Sequence, residues 1–244
     1  RALTPAPWTL PTIASLMTGL TPRSHAATEP NSAVCEEADT LAEVLTTNGW
    51  TTAFAGINEY FLPEDSGLRQ GFGTWWAQMN VPDRDAVAAA LDSMEASQGK
   101  AAFLHVHLYG PHAPFETYGR VVTPGAVRTW SPDTQRRDLE AACIVGADGR
   151  TVGGVELEVG KYRVELAELD AGLGELRDGL KALNRWDQAW VVVVGDHGEE
   201  FCDHSSLGHG DATHEEALRV PLVVRPPPGS EIARGKVGEA MSVV

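Results

Sequence analysis

Residues 189–194 read Ala-Trp-Val-Val-Val-Val and run directly into Gly195-Asp196-His197-Gly198-Glu199-Glu200. A continuous, β-branched apolar run is what a central strand needs when both of its faces are covered. Strands of that kind belong to mostly parallel sheets flanked by helices, and such sheets gather their functional groups at the carboxyl ends of strands. The polar turn after Val194 is therefore the first place to look for chemistry.

The rest of the chain fits this α/β frame. Ile13, Leu16, Met17 and Leu20 have helical spacing, with Pro11 in the first turn and Gly19 and Pro22 closing the segment. Thr9 is thus expected at or next to a helix N-terminus. A second short helix is expected over 39–48, stopped at Gly49, followed by a strand over 51–55. Residues 84–97 predict a helix, and 101–108 predict a strand ending in Tyr109-Gly110-Pro111-His112-Ala113-Pro114. From 117 to 155 the pattern dissolves into Pro, Gly and mixed charge, which predicts a surface excursion with a small hairpin near 146–149. Tyr162, Leu166, Leu169, Leu173, Leu176, Leu180 and Leu183 repeat at 4-3 spacing with Glu165, Glu168, Glu175 and Lys181 between them, the pattern of a long amphipathic helix. A last strand is expected over 218–224, cut by Pro227. The 244 residues suffice for one such domain, or at most two small ones.

Charge and cysteine content remove several classes. A net charge of −15 repels bare phosphate backbones, so nucleic acid is not an expected partner, although bound metal cations can reverse the field locally for a small anionic substrate. No apolar stretch approaches the roughly 20 residues of a membrane-spanning helix. Cys35, Cys143 and Cys202 are an odd number at wide spacing, which argues against a disulfide scaffold. The chain begins at Arg1 without an initiator Met and stops at Val244 in mid-apolar pattern, and it is read as an internal piece of a longer protein.

Six of the eight histidines (105, 107, 112, 197, 204 and 209) lie in or beside the two segments after the expected strands 101–108 and 191–194. Carboxylate and neutral imidazole are the usual ligands of a Zn²⁺- or Mn²⁺-type ion. Glycines flanking Asp196-His197 and His209 allow close backbone approach. Each feature also has a plainer reading. Asp-His-Gly after a strand suits a simple turn, Thr9 alone suits a helix cap, and Cys202 or His204 taken singly reads as a loop residue. What favours chemistry is the company: a hydroxyl at a helix N-terminus, where N–H groups favour anionic oxygen, together with a candidate metal pair that would make its alkoxide accessible.

In these residues the chain resembles the sulfatase-like branch of the alkaline phosphatase superfamily. The resemblance is carried by Pro7-Trp8-Thr9-Leu10-Pro11 through Gly19-Leu20-Thr21-Pro22 with His25 after it, and by His107-Leu-Tyr-Gly-Pro-His112-Ala-Pro-Phe115. It continues through the helix with Tyr162 and Asp170, Val193-Val194-Gly195-Asp196-His197-Gly198-Glu199, Gly208-His209-Gly210 and Glu215-Glu216-Ala-Leu-Arg219-Val-Pro-Leu-Val, all in family order. It implies a three-layer α/β sandwich with a mostly parallel central sheet, forming a single catalytic domain over 1–244. It also implies one or two divalent ions, Zn²⁺ or Mn²⁺ ahead of Ca²⁺, and a small-molecule, glycan- or lipid-linked phosphate or sulfate ester as substrate. Relatives often work outside the cytoplasm. By residue, the resemblance makes Thr9 the nucleophile and a metal ligand, and Asp196 and His197 the metal pair. It gives His209 to a second metal or the substrate anion, and His112 and His107 to substrate binding or leaving-group assistance.

Departures sharpen the expectation. Sulfatases proper carry Cys or Ser at the Thr9 position, oxidised to formylglycine, with Arg four residues later where this chain has Ile13. Oxidised threonine would be a ketone, so phosphoryl transfer through Thr9 is the favoured reading. A sulfuric ester hydrolase with an unmodified nucleophile and a non-catalytic anion- or metal-binding remnant are the alternatives. Gly110 stands where many relatives have Asp. Relatives also place acidic metal ligands on a strand well before the nucleophile, and this chain starts eight residues before Thr9. On that reading residues 1–244 produced alone are expected to be poorly soluble or loosely packed, and inactive.

Overall fold

The computed structural model describes residues 2–113, 115, 155–204, 206–230 and 241–242. The expected excursion and its hairpin lie outside these. Three strands, β2 (Thr51–Ile57), β3 (Thr74–Gln78) and β4 (Ala102–His107), form a parallel sheet in the order β3-β2-β4. β2 is buried along nearly its whole length, as a middle strand covered on both faces must be. On one face Phe54 packs with Leu10, Ile13, Ala14 and Met17 of α1 (Thr9–Thr18). Ala53 and Ala55 fall on the other side of the pleat, where α4 (Asp83–Ala96) crosses β2 and β4. The sheet is thus sandwiched between helices. Two short helices, α2 (Pro22–His25) and α3 (Leu41–Thr47), complete the α1 side; Thr40 and Glu43 form a reciprocal capping box at the start of α3.

α5 (Val155–Ala182) packs on α4. Its inward face keeps the leucine stripe: Leu180 is buried and Tyr162, Leu169, Leu173, Leu176 and Leu183 are half-buried. Glu165 and Gly172 are also buried, whereas Leu166 is exposed. α4 approaches closely at Gly179, where a Cβ would lie 2.4 Å from Leu91 Cδ1.

One correction concerns β5 (Val191–Val194). It pairs antiparallel with β9 (Leu222–Arg225), not within a parallel sheet, and has no other strand beside it among the described residues. Its apolar side chains are therefore open: Trp190 is 59% exposed, Val192 57%, and Val223 on the facing strand 59%. The expected strand over 218–224 is also divided. α6 (Glu215–Leu218) leads into β8 (Arg219–Val220), and Pro221 separates β8 from β9. β8 pairs with β1 (Ala2–Leu3), which also pairs with β10 (Met241–Ser242), and β6 (Glu200–Phe201) with β7 (Leu207–Gly208) form a small hairpin. Cys202 is disulfide-bonded and Cys35 is free. No described helix is long and apolar enough to cross a membrane.

A contiguous valine surface of this kind promotes association. Residues 1–244 produced alone should therefore aggregate as concentration rises, and Val192→Thr with Val224→Thr should reduce that aggregation. Light scattering across a dilution series checks this; a monodisperse monomer from the unaltered segment would contradict it.

Candidate active site

Thr9 is the first helical residue of α1, after an extended Trp8, and is only 3% exposed. The helix that presents it is held from behind by His25. That imidazole is fully buried, accepts from the Ala27 N–H at Nδ1 and therefore donates through Nε2, which lies 3.1 Å from the Pro11 carbonyl and 3.0 Å from Ser15 Oγ. Burial lowers its pKa, so it is neutral and structural.

Asp196 and His197 follow β5, and their side chains meet Thr9. The Thr9 hydroxyl hydrogen-bonds to the Asp196 carboxylate, and its Oγ1 lies 3.4 Å from His197 Nε2. His197 Nδ1 donates to the Gly198 carbonyl at 2.9 Å, which leaves Nε2 a lone pair facing Thr9 and Asp196, 3.5 Å from Asp196 Oδ2. Burial opposes charge on Asp196, but the neighbouring His197 and His107, the Thr9 hydroxyl and the His197 amide outweigh it and lower its pKa. An ionised carboxylate, an imidazole lone pair and a hydroxyl converging on one point form a donor set suited to a Zn²⁺-type ion. Gly198 is obligatory in this turn, because a Cβ there would lie 1.9 Å from the Glu216 carbonyl.

His209 follows β7. Its Nδ1 donates to Glu199 at 3.1 and 3.2 Å, and its ring lies 4.0 Å from that of His197 and 5.0 Å from that of His112. Burial works against charge here too, but Glu199 and, beyond it, Asp196 and Asp211 raise the His209 pKa. His112 behaves oppositely. Burial and the nearby His209 push its pKa down to about 4, and its Nδ1 donates to the Ala113 carbonyl at 2.6 Å. His107, at the end of β4, is held neutral by burial beside Asp196 and His197. His105 does not join them. It stacks on Phe54 at 5.2 Å, and burial takes its pKa to about 3.

Thr9, His107, His112, Asp196 and His197 line one cavity of about 70 Å³, with His209 against it. Other walls come from Asn58, Tyr109, Tyr162 and Glu199, to which the residue pattern assigned no role. Asn58 was reachable, since it follows the carboxyl end of β2, and Glu199 shares the turn with Asp196. A larger cleft of about 200 Å³ at the β3 edge contains none of the site residues.

The loop carrying His112 is anchored by Asp83, whose carboxylate accepts from the Tyr109 and Gly110 amides at 2.8 and 3.1 Å. A Cβ on Gly110 would meet Asp83 Oδ2 at 2.8 Å, so Asp83 takes the space a side chain at 110 would use. Glu165 is buried beside this pair, and desolvation with Glu168 and Asp83 raises its pKa to about 7. A raised carboxyl pKa means that the folded state binds the extra proton. The cost to stability therefore begins above the reference value of 4.5 and is complete above about 7. Glu165→Gln should remove that cost, gaining about 1–3 kcal/mol at pH 8 and little at pH 4. Denaturant unfolding at both pH values measures it; equal differences at the two would show that Glu165 is not protonated in the fold.

Fold and site together define an α/β domain with a buried hydroxyl, a candidate metal pair and a glutamate-paired histidine around one small cavity. A family model described as Sulfatase matches residues 1–239, and the chain belongs to the sulfatase family. It is 28% identical over 178 residues to the multifunctional alkaline phosphatase superfamily protein PehA of Trinickia caryophylli, covering 63% of this chain and 34% of that protein. Among solved structures it resembles the phosphonate monoester hydrolase of Agrobacterium radiobacter at a TM-score of 0.66 and 20% identity, covering 93% of this chain and 60% of that one. It also resembles the zinc complex of the C-terminal periplasmic domain of EcEptC from Escherichia coli, at a TM-score of 0.65 and 14% identity, covering 93% and 61%. The chain thus spans a third to three fifths of these relatives.

Proposed function

We propose that this chain carries the catalytic core of a metal-dependent hydrolase or transferase acting on phosphate esters, with Thr9 as its nucleophile. The observation that carries the reading is the Thr9 hydroxyl, hydrogen-bonded to an ionised Asp196 and facing the His197 Nε2 lone pair at a helix N-terminus. Thr9 Oγ1 forms a bond to phosphorus as the bond from phosphorus to the leaving oxygen breaks in line, and the hydroxyl proton passes to the Asp196 carboxylate that already accepts it. His209, with its raised pKa, stabilises the non-bridging oxygens and can donate its proton to the leaving oxygen. His112 has no proton on Nε2 when Nδ1 donates to Ala113, so it suits the second step, in which it takes the proton of the water or alcohol that attacks phosphorus while Asp196 returns its proton to the departing Thr9 oxygen. His107 adds a neutral imidazole beside Asp196.

Asp196, His197 and Thr9 are the residues that would hold a divalent ion. Such an ion would lower the hydroxyl pKa and neutralise charge on the substrate. The zinc complex of the EcEptC domain supports Zn²⁺ as the first ion to test.

Thr9 and Ile13 favour phosphoryl over sulfuryl transfer, because an oxidised threonine yields no aldehyde and no arginine follows at position 13. The phosphonate monoester hydrolase among the structural relatives supports the same preference. Parallel assays of the full-length protein on an aryl phosphodiester, a phosphomonoester and a sulfate ester test it. Either phosphate rate should exceed the sulfate rate; a sulfate rate well above both would reverse the reading.

A further inference from the structure

A second group of ligand-type side chains lies beside the cavity and plays no part in the chemistry above. Glu200 in β6, His204 in the turn after it and His214 at the N-cap of α6 each present a ligand atom within 4.8 Å of the other two. His214 Nδ1 is 3.0 Å from Glu200 Oε1, and the His204 and His214 rings stack at 3.9 Å. Glu200 is only 2% exposed, yet its second oxygen, Oε2, is buried with no hydrogen-bond partner. A buried carboxylate oxygen left unpaired is costly, and a cation is one of the few partners that can satisfy it. Glu216 adds a similar oxygen: its Oε2 also lacks a hydrogen-bond partner and lies 3.5 Å from His204 Nδ1.

We propose that Glu200, His204 and His214 bind a structural Zn²⁺-type ion separate from the Asp196–His197 pair, with Glu216 as the fourth ligand. Imidazole nitrogen and carboxylate oxygen are both ligands that a tetrahedral Zn²⁺ accepts. The ion would tie the β6–β7 hairpin to the N-terminus of α6. Glu199, which holds His209, is the residue before Glu200, so the clip would fix the strand that positions His209. The site stands independently of the role given to Thr9.

The test uses the full-length protein, stripped with chelator and then reloaded with Zn²⁺ or Co²⁺, in an Asp196→Asn background that disables the other site. Zn²⁺ bound per chain is measured by elemental analysis after gel filtration, and Co²⁺ spectra report ligand geometry. One ion should remain in the Asp196→Asn protein with a tetrahedral Co²⁺ spectrum, and adding His214→Ala should weaken its binding at least about a hundredfold, since loss of even an outer-sphere partner costs ten- to a hundredfold. Because an alanine variant can fail by misfolding, His214→Cys provides a second arm: it should retain the ion and add a thiolate-to-cobalt charge-transfer band. No ion bound in the Asp196→Asn background, an affinity unchanged by His214→Ala, or a His214→Cys protein without the band would each overturn the proposal.

Discussion

Alanine at Thr9 should lower kcat/KM on aryl phosphate esters by at least about 10³-fold, leaving only what positioning and charge stabilisation supply without a nucleophile. The fold should not suffer. Thr9 sits at the first position of α1, its hydroxyl turns to Asp196 and His197, and the helix is fastened independently through His25, Ser15 and Pro11. Serine at this position keeps an attacking oxygen but loses the methyl group that restricts its rotamer, so activity should fall far less than in the alanine variant. Rates for the three proteins, beside their thermal transitions, check both statements. An alanine variant with normal turnover would remove Thr9 from the mechanism.

Asparagine at Asp196 should have an effect of similar size through a different cause. The substitution keeps the shape of the side chain while removing the charge that the Thr9 hydroxyl, the His197 amide and two imidazoles face. Activity should drop by about 10²–10⁴-fold, and the metal content of the dialysed full-length protein should fall by one ion. The two losses must occur together. Undiminished metal with lost activity would make Asp196 a base alone, and undiminished activity would exclude it from the site.

The site was legible because it depends on local signals. Apolar runs marked the carboxyl ends of β4 and β5, and helical spacing put Thr9 at the start of α1, so Thr9, His107, His112, Asp196 and His197 could be grouped before any tertiary contact was known. Features that depend on non-local packing were not legible. Thr74–Gln78 carries two adjacent tryptophans and no clear alternation, and it becomes a strand only because β2 offers it a parallel edge. The stripe of leucines on α5 marked its inward face, but not that Glu165 would be buried there beside Asp83, nor that α4 would approach closely at Gly179. The four valines of β5 read as a covered central strand, but coverage depends on what packs against them, and here Val192 and Val193 are exposed while Val191 and Val194 are only half-buried. His204 read as a loop residue because its partners, Glu200 and His214, are brought to it by a hairpin and a helix cap that leave little trace in spacing.

The most direct measurement of the central claim is acid quenching of the full-length protein during steady-state turnover of an aryl phosphate ester, followed by high-resolution mass analysis of the peptide containing Thr9. The account predicts one phosphoryl group on Thr9, formed at the rate of leaving-group release and absent from the Asp196→Asn protein. Turnover at the full rate with an unmodified Thr9 peptide, or with the group on any other residue, would contradict it.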